Sequence, residues 1–331
     1  MKEYFVRDLK SNQEFISFFM VKSIEVRVGT NKKQYLDMNL SDATGEVNAK
    51  KWDLAEAELP ALSAIKEGDI VKVKAQVSEW NGQTQLRVLK VRKSNETDNL
   101  EMEDFIKAAP EASEDMYAYI MARAEEIADD DFRKLATYLL EKNKARLMYY
   151  PAAAKNHHAE YGGLLWHVKR MLMSGIALSE IYDFLSKDLI VTGVIIHDIE
   201  KLTEIEANEN GVSTGYSVKG QLLGHITQGV TLIDEVCKEL GIPDEKAMIL
   251  EHMVLSHHYE PDFGSPRRPM FPEAELLHYL DIMDARMYDM EEAISNLAPG
   301  AFSERVRTLD GRKIYRPSFM PYYPEREPEE E

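Results

Sequence analysis

Hydropathy along the chain changes period. From Phe15 to about Val91, apolar and polar residues alternate in short runs separated by turn signals. Alternation at period two marks strands with one buried face. Phe19 to Val28 is one such run, broken at Gly29-Thr30-Asn31-Lys32-Lys33. Tyr35 to Leu40 is a second run, Ser41 to Glu46 a turn, and Val47 to Trp52 a third strand. Residues 54–66 suit a short helix. Gly68-Asp69 opens a strand over Ile70 to Val77, Asn81-Gly82 is a hairpin signal, and Gln83 to Leu89 closes the set. Five strands with a helix between the third and fourth is the order of an OB-fold barrel.

Beyond a polar linker at Ser94 to Asp98, the period lengthens. Residues 100–110 read as a short acidic helix or hinge. Met116, Tyr119, Ile120, Ala124 and Ile127, then Phe132, Leu135, Tyr138 and Leu139, recur at helical spacing and predict two helices within 113–146. Leu189 to Ile196 is almost unbroken apolar sequence, which predicts a helix buried all round. The resulting layout is multidomain, α and β. Residues 1–95 form an N-terminal OB-fold β-barrel, and 96–112 form a linker. Residues 113–314 form an all-α domain, and 315–331 an acidic disordered tail with four prolines.

Composition adds limits. No run of about eighteen uncharged apolar residues exists, so no membrane-spanning helix is expected. The opening MKEYFVRDLKSNQEF lacks an apolar signal core. The single cysteine, Cys237, excludes an internal disulfide, fits a reducing cytoplasm, and reads as a small buried group. The net charge of −18 is uneven: residues 1–95 hold 16 Lys/Arg against 13 Asp/Glu, whereas 96–331 hold 24 against 45. A polyanion would therefore meet this chain through the first part or through bound cations.

The apolar run ends in His197-Asp198, and burying an imidazole and a carboxylate is costly unless something pairs with them. All nine histidines lie between His157 and His278. Neighbours on a helix point about 100° apart, so His197 and Asp198 can both touch a cation beside it. His167 and Asp281, on further helices, can complete that site. A second cation can be held by His225, His257 and His258, with Asp198 bridging. Both groups are good ligands for borderline cations such as Mn2+, Fe2+, Co2+ or Zn2+. The expected cofactor is a divalent cation, Mn2+ first with Mg2+, Co2+, Fe2+ or Zn2+ as alternatives, one or two ions in all. Two such cations suit in-line attack of water on phosphorus.

The pattern resembles the HD superfamily of metal-dependent phosphohydrolases. His197-Asp198, followed by Ile199 and Lys201, is similar to that family's HDxGK segment, with Glu200 where glycine is common. PAAAKNHHAEYGGLLWHV, HHYEPDFGSPRRP and PEAELLHYLDIMDARM are similar to YhaM-type 3′-to-5′ exoribonucleases, and YLDMNLSDATGEVNAKKWD to OB-type nucleic-acid-binding domains. Trp166 stands where that family often has an acidic residue. The resemblance covers roughly residues 15–300. It implies metal positions at His167, His197, Asp198 and Asp281, with His225, His257 and His258 at a second site.

Other residues fall around this centre. Lys201 shares a helix face with Asp198 and can reach a phosphate oxygen or pair with Asp198 or Glu204. His157 and His158 lie in a loop suited to phosphate contact or to loop hydrogen bonds. Arg267 and Arg268, between Pro266 and Pro269, read as a stiff basic loop at a substrate entrance or as a solvated loop. His278 and Asp284 share a face with Asp281 and can orient ligands, while His252 reads as structural. On the barrel, Phe18, Arg27, Lys32, Lys33, Tyr35, Lys51, Trp52 and Trp80 are candidates for holding a strand by stacking and charge. Core packing is the alternative for each aromatic.

The expected function is metal-dependent 3′-to-5′ exoribonuclease action on single-stranded RNA, with single-stranded DNA a second candidate. His197, Asp198 and Lys201 are the expected catalytic residues, nucleoside monophosphates the products, and a homo-oligomer is left open. The alternatives are a nucleotide phosphohydrolase whose barrel senses nucleic acid, and a non-enzymatic single-strand binder.

Overall fold

The computed structural model describes residues 2–29, 33–52, 54, 58–80, 83–100, 104–154, 160–208, 211–295 and 297–319. It divides into two compact units, Met1–Ala108 and Ala109–Glu331.

The first unit is a closed barrel of β1 (Glu14–Val28), β2 (Gln34–Asp42), β3 (Gly45–Lys51), β4 (Ile70–Trp80) and β5 (Gln83–Lys93), in the order β1-β2-β3-β5-β4. Alternation builds the interior: Leu36, Met38 and Leu40 on β2 and Val71, Val73, Ala75 and Val77 on β4 are all buried. One long strand closes the barrel. β1 pairs with β4 over Glu14 to Met20 and with β2 over Met20 to Val28. A register irregularity between Val21 and Ser23 bends it from one partner to the other. The helix between β3 and β4 is shorter than expected. Helix α1 covers Leu59–Ser63, with Pro60 in its first turn and Leu62 buried in the barrel core. Asn81 and Gly82 lie outside the described residues, but Trp80 pairs with Gln83, the register a two-residue hairpin requires.

The second unit is helical, and α5 (Lys187–Ile196) is at its centre. Every residue from Leu189 to Ile196 is buried, because α2 (Ser113–Glu125), α3 (Asp130–Leu147), α4 (Gly163–Ile181), α8 (Asp244–Ser256) and α9 (Pro272–Ser295) surround it. Helices α6 (Lys201–Glu204) and α7 (Val218–Leu240) complete the set. Two hairpins were not expected: β6 (Ile205–Ala207) with β7 (Ser213–Tyr216), and β8 (Phe302–Val306) with β9 (Arg312–Tyr315). Both are short, and of their four strands only β7 alternates in burial, over four residues. The disordered tail expected from Tyr315 needs correction, since Tyr315 pairs with Phe302 in a strand and their rings lie 4.8 Å apart. Residues 320–331 lie outside the described residues. In the expected 100–110 element, residues 104–110 contain no α-helix. No helix among the described residues is long and apolar enough to cross a membrane.

Candidate functional site

Helix α5 ends with its backbone still helical at His197, whose N–H donates to Gly193 O at 3.0 Å. The chain turns through Asp198 into α6, so the end of the buried helix carries both side chains inward. Helix α7 is brought against α6 by Gly220, where a Cβ would lie 2.3 Å from Glu204 O. At Gly224 a left-handed φ of 68° interrupts α7 and turns His225 toward Glu204. His257 and His258 follow the end of α8, and α9 supplies Asp281 and Asp284.

Each histidine of this cluster is held through Nδ1. His197 meets Val194 O at 2.8 Å, His257 meets Val254 O at 2.7 Å, and His258 meets Phe263 O at 2.7 Å. His167 Nδ1 meets Asp284 Oδ2 at 2.8 Å, and His225 Nδ1 meets Glu204 Oε2 at 2.9 Å. Carbonyls and carboxylates accept here, so Nδ1 carries the proton and Nε2 is the atom turned to the centre. Metal-binding histidines are oriented this way.

The Nε2 atoms converge on two carboxylates. Asp198 Oδ2 lies 3.3 Å from His197 Nε2 and 3.7 Å from His167 Nε2, while Oδ1 lies 3.4 Å from His225 Nε2 and 3.8 Å from His257 Nε2. Asp281 also touches both groups, with Oδ1 3.4 Å from His167 Nε2 and Oδ2 3.7 Å from His258 Nε2. His167, His197 and Asp198 form one set whose ligand atoms lie within 4.8 Å of one another, and His225, His257 and His258 form another. The Nε2 atoms of His197, His225 and His257, together with Asp198 Oδ1, are buried without a hydrogen-bond partner among the described residues. Groups so placed destabilise a fold unless something binds them. A divalent cation fits this donor set.

Charge is organised to match. Burial would raise Asp198, but Lys201, whose Nζ is 2.6 Å from Oδ2, and His197 outweigh it and hold the carboxyl well below its ordinary range. Burial would likewise raise Asp281, and His167 outweighs it. His257 is pushed well below the usual imidazole value by burial, and by its neighbours His258 and His197, so its imidazole is neutral. Burial would lower His167, but hydrogen bonds to Asp281 and Asp284 bring it up to about 9.

All seven residues expected to hold metal therefore meet in one place. Lys201 pairs with Asp198, the ion-pair alternative of the sequence reading. Asp284 orients His167 and is itself held by Arg170 Nε at 2.7 Å. His278 reaches the carbonyl of His257 at 2.7 Å rather than a ligand side chain, and His252 accepts from Met270 N–H at 3.0 Å. Glu204 was missed as the partner of His225, because the Gly224 turn that joins them leaves no periodic signal. Cys237 is buried, and burial pushes its thiol up to about 11, which keeps it unreactive. Arg267 is exposed, while Arg268 pairs with Glu260 at 2.9 Å and lies over the Tyr259 ring. His157 and His158 lie outside the described residues.

On the barrel, Tyr35 and Trp52 stack at 4.4 Å between ring centroids. Lys50, absent from the sequence candidates, sits 5.8 Å and 6.0 Å from the two rings. Two candidates need correction. Phe18 is buried under Lys72, and Lys51 is buried in an ion pair with Glu58 at 3.2 Å, so neither offers a free contact to a ligand. Phe18 sits in an unbroken buried run from Ser17 to Val21, where β1 departs from alternation, whereas Lys51 continues the buried side Val47, Ala49, Lys51 of β3's regular alternation. Arg27 is exposed and pairs with Asp37 at 3.1 Å, and Lys33 is exposed. Lys32 and the side chain of Trp80 lie outside the described residues.

Comparison with known proteins agrees with this organisation. Residues 164–286 match the HD domain, and residues 20–93 match the OB-fold nucleic acid binding domain. A protein of Bacillus subtilis (strain 168) named 3′-5′ exoribonuclease YhaM is 37% identical over 91% of this chain and 94% of its own. A protein of the same name from Halalkalibacterium halodurans is 38% identical over 92% of this chain and 93% of its own. This chain belongs to the YhaM 3′-5′ exoribonuclease family.

Proposed function

We propose that this chain is a metal-dependent exonuclease that hydrolyses single-stranded RNA from its 3′ end to nucleoside monophosphates. Mn2+ is the first candidate cation, one or two ions are held, and single-stranded DNA is a second substrate. The observation that carries the reading is the reach of Asp198, with one oxygen toward His197 and His167 and the other toward His225 and His257. Such a carboxylate suits two adjacent cations, one held also by His167, His197 and Asp281 and the other by His225, His257 and His258.

When bound, the cations supply Lewis acidity, lowering the pKa of a water and neutralising phosphate oxygens. The chain's own residues do the rest. The Nδ1 contacts fix each imidazole with Nε2 inward. Lys201 balances the charge of Asp198 and is the residue of this cluster that can reach a phosphate oxygen. Burial excludes bulk water from all but one side of the cluster. His157, His158, Arg267 and Arg268 are the further substrate contacts of this reading. The barrel holds the strand through Tyr35, Trp52, Lys32, Lys33 and Trp80.

The test is the Mn2+-loaded protein incubated with 5′-labelled single-stranded RNA and, separately, with free nucleotides. A ladder shortening from the 3′ end with monophosphate release is expected. Hydrolysis of free nucleotides with intact RNA would replace this reading with that of a nucleotide phosphohydrolase.

A further inference from the structure

Access to the metal centre is one-sided. Side-chain exposure is 0–2% at His197, His257, Asp198 and His167, rises to 9% at His225 and 15% at Asp281, and reaches 24% at His258. A substrate therefore enters over His258, and the residues beside His258 form the rim of the entrance.

That rim is the segment 259–268, and it is tightly held. His258 N–H donates to Ser265 Oγ at 3.0 Å, Ser265 is fully buried, and its N–H reaches Glu260 O at 3.3 Å. Tyr259 takes a left-handed φ of 67°, a conformation that non-glycine residues adopt only where their surroundings impose it. Arg268 closes the segment onto Glu260 and covers the Tyr259 ring. Gly264 lies against Ile226, one residue after His225. Within this segment Phe263 gives its carbonyl to His258 Nδ1, yet leaves its ring in solvent at 70% exposure.

A single exposed aromatic ring is ordinary on a protein surface, and what sets this one apart is where its backbone is anchored. Here the backbone is pinned to a candidate metal ligand and the ring is held out at the entrance. The group with a complementary flat, apolar face that must pass this point is a nucleobase.

We propose that Phe263 is a stacking platform for one of the two nucleobases flanking the scissile phosphate, and so a substrate-binding residue at the metal centre. This rests on the exoribonuclease reading. The carbonyl that orients His258 belongs to the backbone, so Phe263→Ala removes the ring and leaves the orienting contact in place. Stacking made equally in the ground and transition states appears in KM, with kcat unchanged.

The experiment compares wild-type, Phe263→Ala and Phe263→Trp proteins, Mn2+-loaded. The 5′-labelled RNAs are intact, abasic at the 3′-terminal position, or abasic at the penultimate position. Metal content and oligomeric state are measured beside KM and kcat. For wild type, one of the two abasic RNAs is expected to show a KM raised about tenfold. Phe263→Ala should show that raised KM on intact RNA and no further loss on the abasic RNA. Phe263→Trp should restore the wild-type pattern at unchanged metal content. If wild type leaves intact RNA uncut, the exoribonuclease reading itself fails. If wild type cuts RNA but treats all three substrates alike, or if Phe263→Ala keeps the discrimination, only the Phe263 assignment fails. A KM rise that Phe263→Trp does not repair would also overturn it.

Discussion

Glu204 holds His225 at two points: Oε1 accepts from the backbone N–H at 3.1 Å and Oε2 meets ring Nδ1 at 2.9 Å. The first contact fixes the chain after the Gly224 turn, and the second fixes the tautomer. Glu204 is thus a positioning residue for the set His225, His257 and His258.

The first prediction concerns this pair. Glu204→Ala should weaken cation binding at the second set by about 10- to 100-fold while the first set keeps its cation. Glu204→Gln should retain part of the affinity, since an amide oxygen can still accept from Nδ1–H. Metal titration read by calorimetry distinguishes the two sets. Equal loss at both sets would show that Glu204 acts by holding the fold.

Asp198 predicts a different pattern, because its two oxygens serve both sets. Asp198→Asn keeps the volume and removes the charge. Both cations should be lost together, with RNA hydrolysis at background and helical content by circular dichroism unchanged. Lys201 would then lose its partner at 2.6 Å. Retention of one tightly bound ion in Asp198→Asn would contradict a bridging role.

The sequence revealed most of this because burial and chemistry coincide at one point. A run apolar on every side had to be a central helix, and ionisable residues at its end had to meet a partner. His225, His257 and His258 were legible for a similar reason, lying beside apolar turns. Glu204 was hidden, since its role depends on a left-handed glycine that no periodicity announces. Phe18 was misread because β1 is buried without a break from Ser17 to Val21, so alternation does not mark its face, and Lys51 because a charged residue ends β3 on the buried side shared by Val47 and Ala49. The two short hairpins have too few residues for period two to stand out.

Proton release gives a third prediction. In the metal-free protein His167 is up to about 9, through Asp281 and Asp284 against the effect of burial. A raised value means the protonated form dominates below about 9, and a cation needs the bare Nε2. Protons therefore compete with the cation below that pH and cease to do so above it. Apparent cation affinity should rise about tenfold per pH unit through neutrality and level off near pH 9. His257, already neutral, contributes no proton. Calorimetric titration at pH 7.5 in two buffers of different ionisation enthalpy should report close to one proton released from His167. A His167→Ala protein releasing as many protons as wild type would refute this.

The last prediction separates stacking from charge on the barrel. Tyr35 and Trp52 form a two-ring slab, and Trp52 is 42% exposed, so one face is open to a base. Lys50 stands beside both rings, and Lys33 is exposed immediately before β2. The helical unit carries most of the chain's negative charge, so few phosphates should be neutralised when RNA binds. With about three to five contacts, and about 0.7 units of slope per phosphate on a single strand, the log–log salt slope should lie between about −2 and −4. Trp52→Ala should weaken binding by about tenfold at every salt concentration and leave the slope unchanged, because stacking releases no counterions. Lys50→Ala and Lys33→Ala should each flatten the slope by up to about 0.7 and weaken binding mainly at low salt. Anisotropy titrations of a labelled single-stranded RNA against the metal-free protein, from low to high KCl, measure both quantities. A Trp52→Ala slope that flattens as the lysine variants do would mean the ring acts by placing Lys50, not by meeting a base.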